Sequence, residues 1–190
     1  MVNWAKDPYT RYRKPESRCL TTHLQFEDWV PFPLAHVFAF FANPENLPRI
    51  MPAATDTRLD ELHLVPPPPS QNQDLVASPR AAGVGTVIAT SFRLFPFLPL
   101  RARWIARITA FEWNHYFEDV QQKGPFKQWH HRHEFLAEMR EGVSGTLVRD
   151  VIEYEIGFGP LGALANSLFV ARQMRHTFAQ RQQILPGLLS

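Results

Sequence analysis

Residues 124–156 concentrate the side chains able to do chemistry. The run GPFKQWHHRHEF (124–135) is followed, after a break near Gly142 and Gly145, by GTLVRDVIEYEI (145–156). In an extended strand alternate residues share a face. Trp129, His131, His133 and Phe135 therefore fall on one side, and Gln128, His130, Arg132 and Glu134 on the other. The second segment places Val148, Asp150, Ile152, Tyr154 and Ile156 on one face. Their apolar members mark both faces as inward, so Asp150 is expected beside His131 or His133. Four chemistries fit. Two histidines and a carboxylate are the donor set of non-haem iron centres. A histidine oriented by an aspartate can move protons near neutral pH. The same groups can anchor an oxygen of a ligand inside a cavity. They can also satisfy one another as a buried network that needs no ligand. A polar and aromatic row set beneath a helix favours a cavity lining. His131, His133 and Asp150 are thus candidates without an assigned catalytic role, and no metal or other cofactor is assigned.

These side chains must be positioned by sheet and helix. Alternation of Leu24 and Phe26 with polar neighbours predicts a first strand over residues 20–30. Pro31 and Pro33 end it and open a short helix whose Leu34, Val37, Phe38 and Phe41 share a face. Asn43-Pro44 starts a second short helix, a capping residue followed by proline. Further strands fit 55–65, 86–94, 100–110, 115–121, 126–139 and 146–158. The proline-rich stretch at 66–83 reads as a loop. The turn FPFLP (95–99) is unusually apolar. A final helix is expected over 161–184, with Leu161, Leu164, Leu168, Ala171, Met174 and Phe178 on its apolar row. Its Arg172, Arg175, His176 and Arg181 read as a solvated basic face near the negative end of the helix dipole. Seven antiparallel strands curving around one long helix leave a gap between the layers. Phe92, Trp104, Phe117, Trp129 and Tyr154 fall on the concave face, opposite Leu168 and Met174. Asp119 shares strand parity with Phe117 and is a candidate second polar group there, with capping of a turn as the other reading.

The bulk properties exclude more than they select. The 190 residues are expected to form one domain over 20–190, preceded by a polar, basic surface extension over 1–19. Twenty basic against 18 acidic side chains call for neither a nucleic acid nor a membrane surface. The single cysteine, Cys19, excludes an intrachain disulfide framework and a cysteine-based zinc site. No apolar run reaches the length of a membrane span, and MVNWAKDPYTRYRK lacks the apolar core of a signal peptide. Cytoplasmic location is the default expectation. AAGVGT (81–86) lacks the lysine and following helix of a phosphate loop.

The order of elements resembles the START-like, or Bet v 1-like, helix-grip superfamily, which includes polyketide cyclase/dehydrase-type and lipid-binding domains. VFAFFANPENL (37–47), GPFKQWHHRHEF, GTLVRDVIEYEI and GPLGALANSLFV (159–170) carry the resemblance. It is closer to a bacterial branch of small ligand-binding proteins, some of them fused to a nucleotide-sugar epimerase-like domain. The chain departs from that branch after Leu47, with PRIMPAAT in place of a Pro-Pro-Trp-like segment, and at 95–99. The resemblance implies an α+β fold with a seven-stranded curved antiparallel sheet around a long C-terminal helix. It also implies a hydrophobic small molecule as the partner, and by resemblance only an epimerase-like protein. The expected function is binding of an apolar or aromatic, oxygenated molecule between sheet and helix. The alternative is a cyclase/dehydratase-type enzyme using the histidines and Asp150. A third reading, a membrane-associated module, rests on the apolar turn and the basic helix.

Overall fold

The computed structural model describes residues 21–69, 80–93, 100–157 and 169–190. Strand β1 (Thr22–Val30) leads into helix α1 (Leu34–Ala42), a 3-10 turn (Pro44–Asn46) and the single turn α2 (Leu47–Ile50). Six strands follow: β2 (Arg58–His63), β3 (Val87–Arg93), β4 (Arg101–Glu112), β5 (Tyr116–Lys123), β6 (Gln128–Arg140) and β7 (Val143–Glu155). Helix α3 (Ala171–Leu189) closes the chain. The strands form one antiparallel sheet in the order β1-β7-β6-β5-β4-β3-β2. This is the helix-grip arrangement that the order of elements predicts.

Register decides which side chains meet. From Gln128 to Arg140, β6 pairs with β7 without a bulge, so the inward parity of Trp129, His131 and His133 is unbroken. His133 lies opposite both Phe117 and Asp150, and His131 opposite Asp119. Two irregularities in β4, at Ile105/Ala106 and Ile108/Ala110, bend the sheet. The β6–β7 hairpin turns at Glu141 (φ 49°) and Gly142 (φ 80°), a pair of left-handed residues of the kind tight hairpins require. Gly145, expected in that break, lies inside β7. A Cβ there would sit 2.5 Å from both the Trp29 ring and the Val30 carbonyl oxygen, so the strand needs glycine for the close approach of β1.

Two differences from the expected boundaries have local causes. The second strand begins at Arg58 rather than 55, because residues 53–55 form a 3-10 turn ended by Asp56 in the left-handed region (φ 41°). Thr55 also donates its hydroxyl to the Pro52 carbonyl at 2.6 Å, which fixes that turn. Helix α3 runs through Pro186 to Leu189 instead of stopping at 184, since Leu185 and Leu189 are buried and reward the extra turn. The N-terminal extension with Cys19, the middle of the proline-rich loop (70–79), the apolar turn (94–99), and the start of the last helix with Leu161, Leu164 and Leu168 lie outside the described residues.

Packing is unequal along the grip. At one end Phe38 is fully buried and meets Phe111, Trp113, Phe117 and Phe135 with ring centroids 5.0–6.2 Å apart. Leu185 and Leu189 of α3 join that cluster, and the His36 ring bonds the Leu189 carbonyl oxygen at 3.0 Å. At the other end α3 presents Met174, Thr177 and Phe178, and the layers do not fill the space between them.

Candidate ligand-binding site

That unfilled space is a cavity of ≈ 430 Å³ between the concave sheet and α3. Phe92 of β3, Trp104 of β4, Phe117 of β5, Trp129 of β6 and Met174 of α3 all line it. Trp104 and Trp129 meet nearly at right angles, with centroids 4.8 Å apart, and Phe126 packs on both. The Trp129 indole Nε1 is buried with no hydrogen-bond partner among the described residues. A buried donor of this kind is costly unless something in the cavity accepts from it.

The polar end of the cavity is formed by Asp119, His131 and His133. Their rings and carboxylate stand together because β5, β6 and β7 pair in the register described above. The two imidazoles lie 3.8 Å apart, and His133 stacks on Phe117 at 4.4 Å. Behind them Asp150 is fully buried. Its Oδ1 takes the hydrogen bond of His131 Nε2 at 2.9 Å, and His133 Nδ1 lies 2.7 Å away but out of line for a hydrogen bond. Asp150 Oδ2 accepts from Arg181 Nη2. Arg181 also donates Nε and Nη2 to Asp28 Oδ2 at 2.9 and 2.6 Å. Its guanidinium lies 4.6 and 5.5 Å from the ring centres of Phe178 and Phe41.

The electrostatics follow from burial set against these partners. Burial pushes the Asp150 carboxyl up, but Arg181 and His133 outweigh it and hold it well below the usual carboxylate range. Asp28 has Arg181 alone, so burial wins and its carboxyl is raised. Burial lowers both imidazoles. At His133 the pull of Asp150 and Asp119 overcomes it and the net direction is up. At His131 burial prevails, reinforced by the charge of His133, and the direction is down. The pair therefore takes one proton readily and resists a second.

Two side chains expected in the lining sit elsewhere. Asp150 is behind the histidines. Tyr154 is buried behind Phe126 and Trp129, with centroids 5.3 and 6.0 Å away. Leu168 lies outside the described residues. Arg181 is a correction. Expected on the solvated basic face, it is 4% exposed and lines the cavity, whereas Arg172, Arg175 and His176 are exposed. The sequence signal was present, since Ala171, Met174, Phe178, Arg181 and Leu185 continue one row at three- and four-residue steps. Asp28 was likewise on the inward parity of Leu24, Phe26 and Val30.

Residues 30–182 match the model of the family described as polyketide cyclase / dehydrase and lipid transport. The chain belongs to that family. Membership carries hydrophobic-ligand binding in general, with no particular ligand. No curated protein matches the sequence. Among solved structures, TTHA0849 from Thermus thermophilus is similar with a TM-score of 0.61 at 16% identity, covering 88% of this chain and 97% of that one. Truncated norcoclaurine synthase from Thalictrum flavum gives 0.58 at 12% identity, over 90% and 96% of the two chains. Ara h 8.0201 gives 0.53 at 14%, over 86% and 96%. These likenesses show a shared fold. No helix among the described residues is long and apolar enough to cross a membrane.

Proposed function

We propose that this protein binds and carries a hydrophobic small molecule, aromatic in part and bearing oxygen, in the cavity between sheet and α3. The observation that carries this reading is the cavity's division: aromatic walls along most of its length and Asp119, His131 and His133 at one end. Its volume of ≈ 430 Å³ suits an ordinary small-molecule ligand. Apolar walls favour any hydrocarbon, but the polar end discriminates. A pure hydrocarbon would leave Trp129 Nε1 and the histidines without partners, at about 1–3 kcal/mol for each buried group. A carbonyl, hydroxyl or carboxylate at that end removes the penalty. The similarly folded norcoclaurine synthase from Thalictrum flavum has been seen in complex with dopamine and hydroxybenzaldehyde, which supports such a ligand class for the cavity.

The His131–Asp150 hydrogen bond favours a second reading, proton transfer at a carbon beside a carbonyl. Native mass spectrometry of freshly purified protein tests the carrier reading first. An excess of a few hundred daltons over the denatured mass, released intact on denaturation, is the expected result. Incubating the released molecule with fresh protein then separates the readings. A carrier returns it unchanged and loses affinity in His131→Gln. An enzyme converts it, and His131→Gln keeps affinity while losing turnover. Absence of retained mass, with no melting shift across a library of oxygenated aromatic and lipid-like compounds, would refute both.

A further inference from the structure

Three donor atoms at the polar end converge on one point. His131 Nδ1 lies 3.8 Å from Asp119 Oδ2, and His133 Nε2 lies 3.7 Å from the same oxygen. All three ligand atoms fall within 4.8 Å of one another. The first two separations are too long for hydrogen bonds. They match two ligands held on either side of one ion by bonds of about 2.1 Å each.

The rings are turned for this. Asp150 is a carboxylate and can only accept, so His131 Nε2, which bonds it, carries a proton, and His133 also turns its Nδ1 toward Asp150. Their opposite nitrogens, Nδ1 of His131 and Nε2 of His133, are turned toward the Asp119 carboxylate. A carboxylate behind metal-ligating histidines is also the usual second layer of a metal centre, since it orients the rings and raises their basicity. Arg181, Asp28 and the rings of Phe41 and Phe178 hold that second layer in place.

Charge points the same way. Among the described residues, three carboxyl groups, Asp28, Asp119 and Asp150, stand with one guanidinium, Arg181, and the two imidazoles. Arg93, which also lines the cavity, is paired with Asp56. A divalent cation would take the place of the proton that the histidine pair otherwise holds.

We propose that Asp119, His131 and His133 form a site for one divalent first-row transition ion, with its open positions facing the apolar cavity. Two nitrogens and one carboxylate oxygen suit Zn²⁺ or Fe²⁺ over Mg²⁺ and Ca²⁺, which prefer oxygen alone. The open positions would accept an oxygen donor entering the cavity. The ion site stands on these residues alone. Only its meeting with an organic oxygen rests on the proposed carrier reading.

The test is calorimetric titration of the EDTA-stripped full-length chain with Zn²⁺, and of a parallel sample with Co²⁺ read by visible absorption. The expected result is one equivalent bound with a Kd of micromolar or tighter, unaffected by millimolar Mg²⁺. Asp119→Ala should weaken it by more than the roughly 10–100-fold expected for losing a second-layer partner. Asp119 is partly exposed and outside the core, so this variant keeps the fold, as circular dichroism would verify. His133→Gln should behave like Asp119→Ala. In the Co²⁺ protein, acetohydroxamic acid should shift the visible bands by entering the open positions. No Zn²⁺ binding, or binding unchanged in Asp119→Ala, would overturn the site. Unshifted Co²⁺ bands would overturn the open positions. Loss of the metal site with an organic molecule still retained would leave the carrier reading standing, and the reverse result would overturn only the carrier.

Discussion

Replacing Arg181 by methionine keeps side-chain length and removes the guanidinium. Asp28 and Asp150, 3% and 0% exposed, then lose their shared cation. Removing one partner of a buried ion pair costs about 3–5 kcal/mol, because the charge left behind has no water to turn to. Here two carboxylates are stranded, although Asp150 keeps His131 and His133. The expected loss is therefore about 4 kcal/mol, a large part of the roughly 5–15 kcal/mol total of a typical domain. With an m-value of about 2 kcal/mol/M, the urea midpoint of metal-free protein at pH 7 should fall by about 2 M. Asp28→Asn added to Arg181→Met should recover part of the loss by removing one stranded charge.

The sign of the pH dependence gives a sharper test. In the native protein Asp150 is held below its unfolded value near 3.8. Its stabilising contribution is complete above that value and is lost only as pH falls through the lower folded one. Without Arg181, burial pushes both carboxyls up. The folded variant then binds protons that its unfolded chain does not, and it gains stability relative to pH 7 as the solution is acidified. The difference between native and variant should shrink from pH 7 toward pH 5. A penalty under 1 kcal/mol at pH 7, or one that grows on acidification, would refute the buried ion-pair account.

Gly145→Ala should lower the urea midpoint by the equivalent of about 1–3 kcal/mol, since the new methyl group meets the Trp29 ring and the Val30 carbonyl oxygen of the edge strand. Trp129→Phe keeps an apolar wall and removes the unpartnered Nε1–H. Titrations should show oxygen-bearing ligands weakened by about 0.5–1.5 kcal/mol and hydrocarbons of the same shape unaffected or improved. Protein stripped of small molecules by partial unfolding on a hydrophobic resin, then refolded, should melt lower than protein as purified. A ligand present at 100 times its Kd adds about 2.7 kcal/mol, and at 2–4 °C per kcal/mol for a chain of this size the shift is about 5–11 °C.

The sheet was legible because its strands alternate cleanly and its hairpins are short. The inward parity of Trp129, His131 and His133 was readable from β6 alone, and adjacency of β6 and β7 put Asp150 among them. Parity names a face and not a depth, however. Tyr154 shares the face of Asp150 yet sits behind Phe126 and Trp129, where only the curvature of the sheet could put it. Arg181 was missed for a different reason. A charged residue on a terminal helix reads as solvated until its partners are known, and those partners, Asp28 and Asp150, lie 153 and 31 residues away in sequence. The end of the last helix was misplaced in the same way, since the burial of Leu185 and Leu189 is not a local signal.

The cavity is a built feature and not a packing defect. The space of ≈ 430 Å³ opens to solvent and carries polar groups at Asp119, His131 and His133, so it holds water or a guest. Two sequence features keep it open. The irregularities of β4 add local twist and curvature to the sheet. The inward row of α3 places flexible Met174 there, against Leu185 and Leu189 at the closed end. Water in such a space finds hydrogen bonds at Asp119, His131 and His133 but few along Trp104, Phe117 and Phe92. Displacing it from the aromatic length gains hydrophobic energy, whereas displacing it from the polar end requires a replacement partner. On the proposed carrier reading, a guest is therefore apolar for most of its length and carries a donor or acceptor at one end. The ion pair of Asp150 and Arg181 fixes where that end lies.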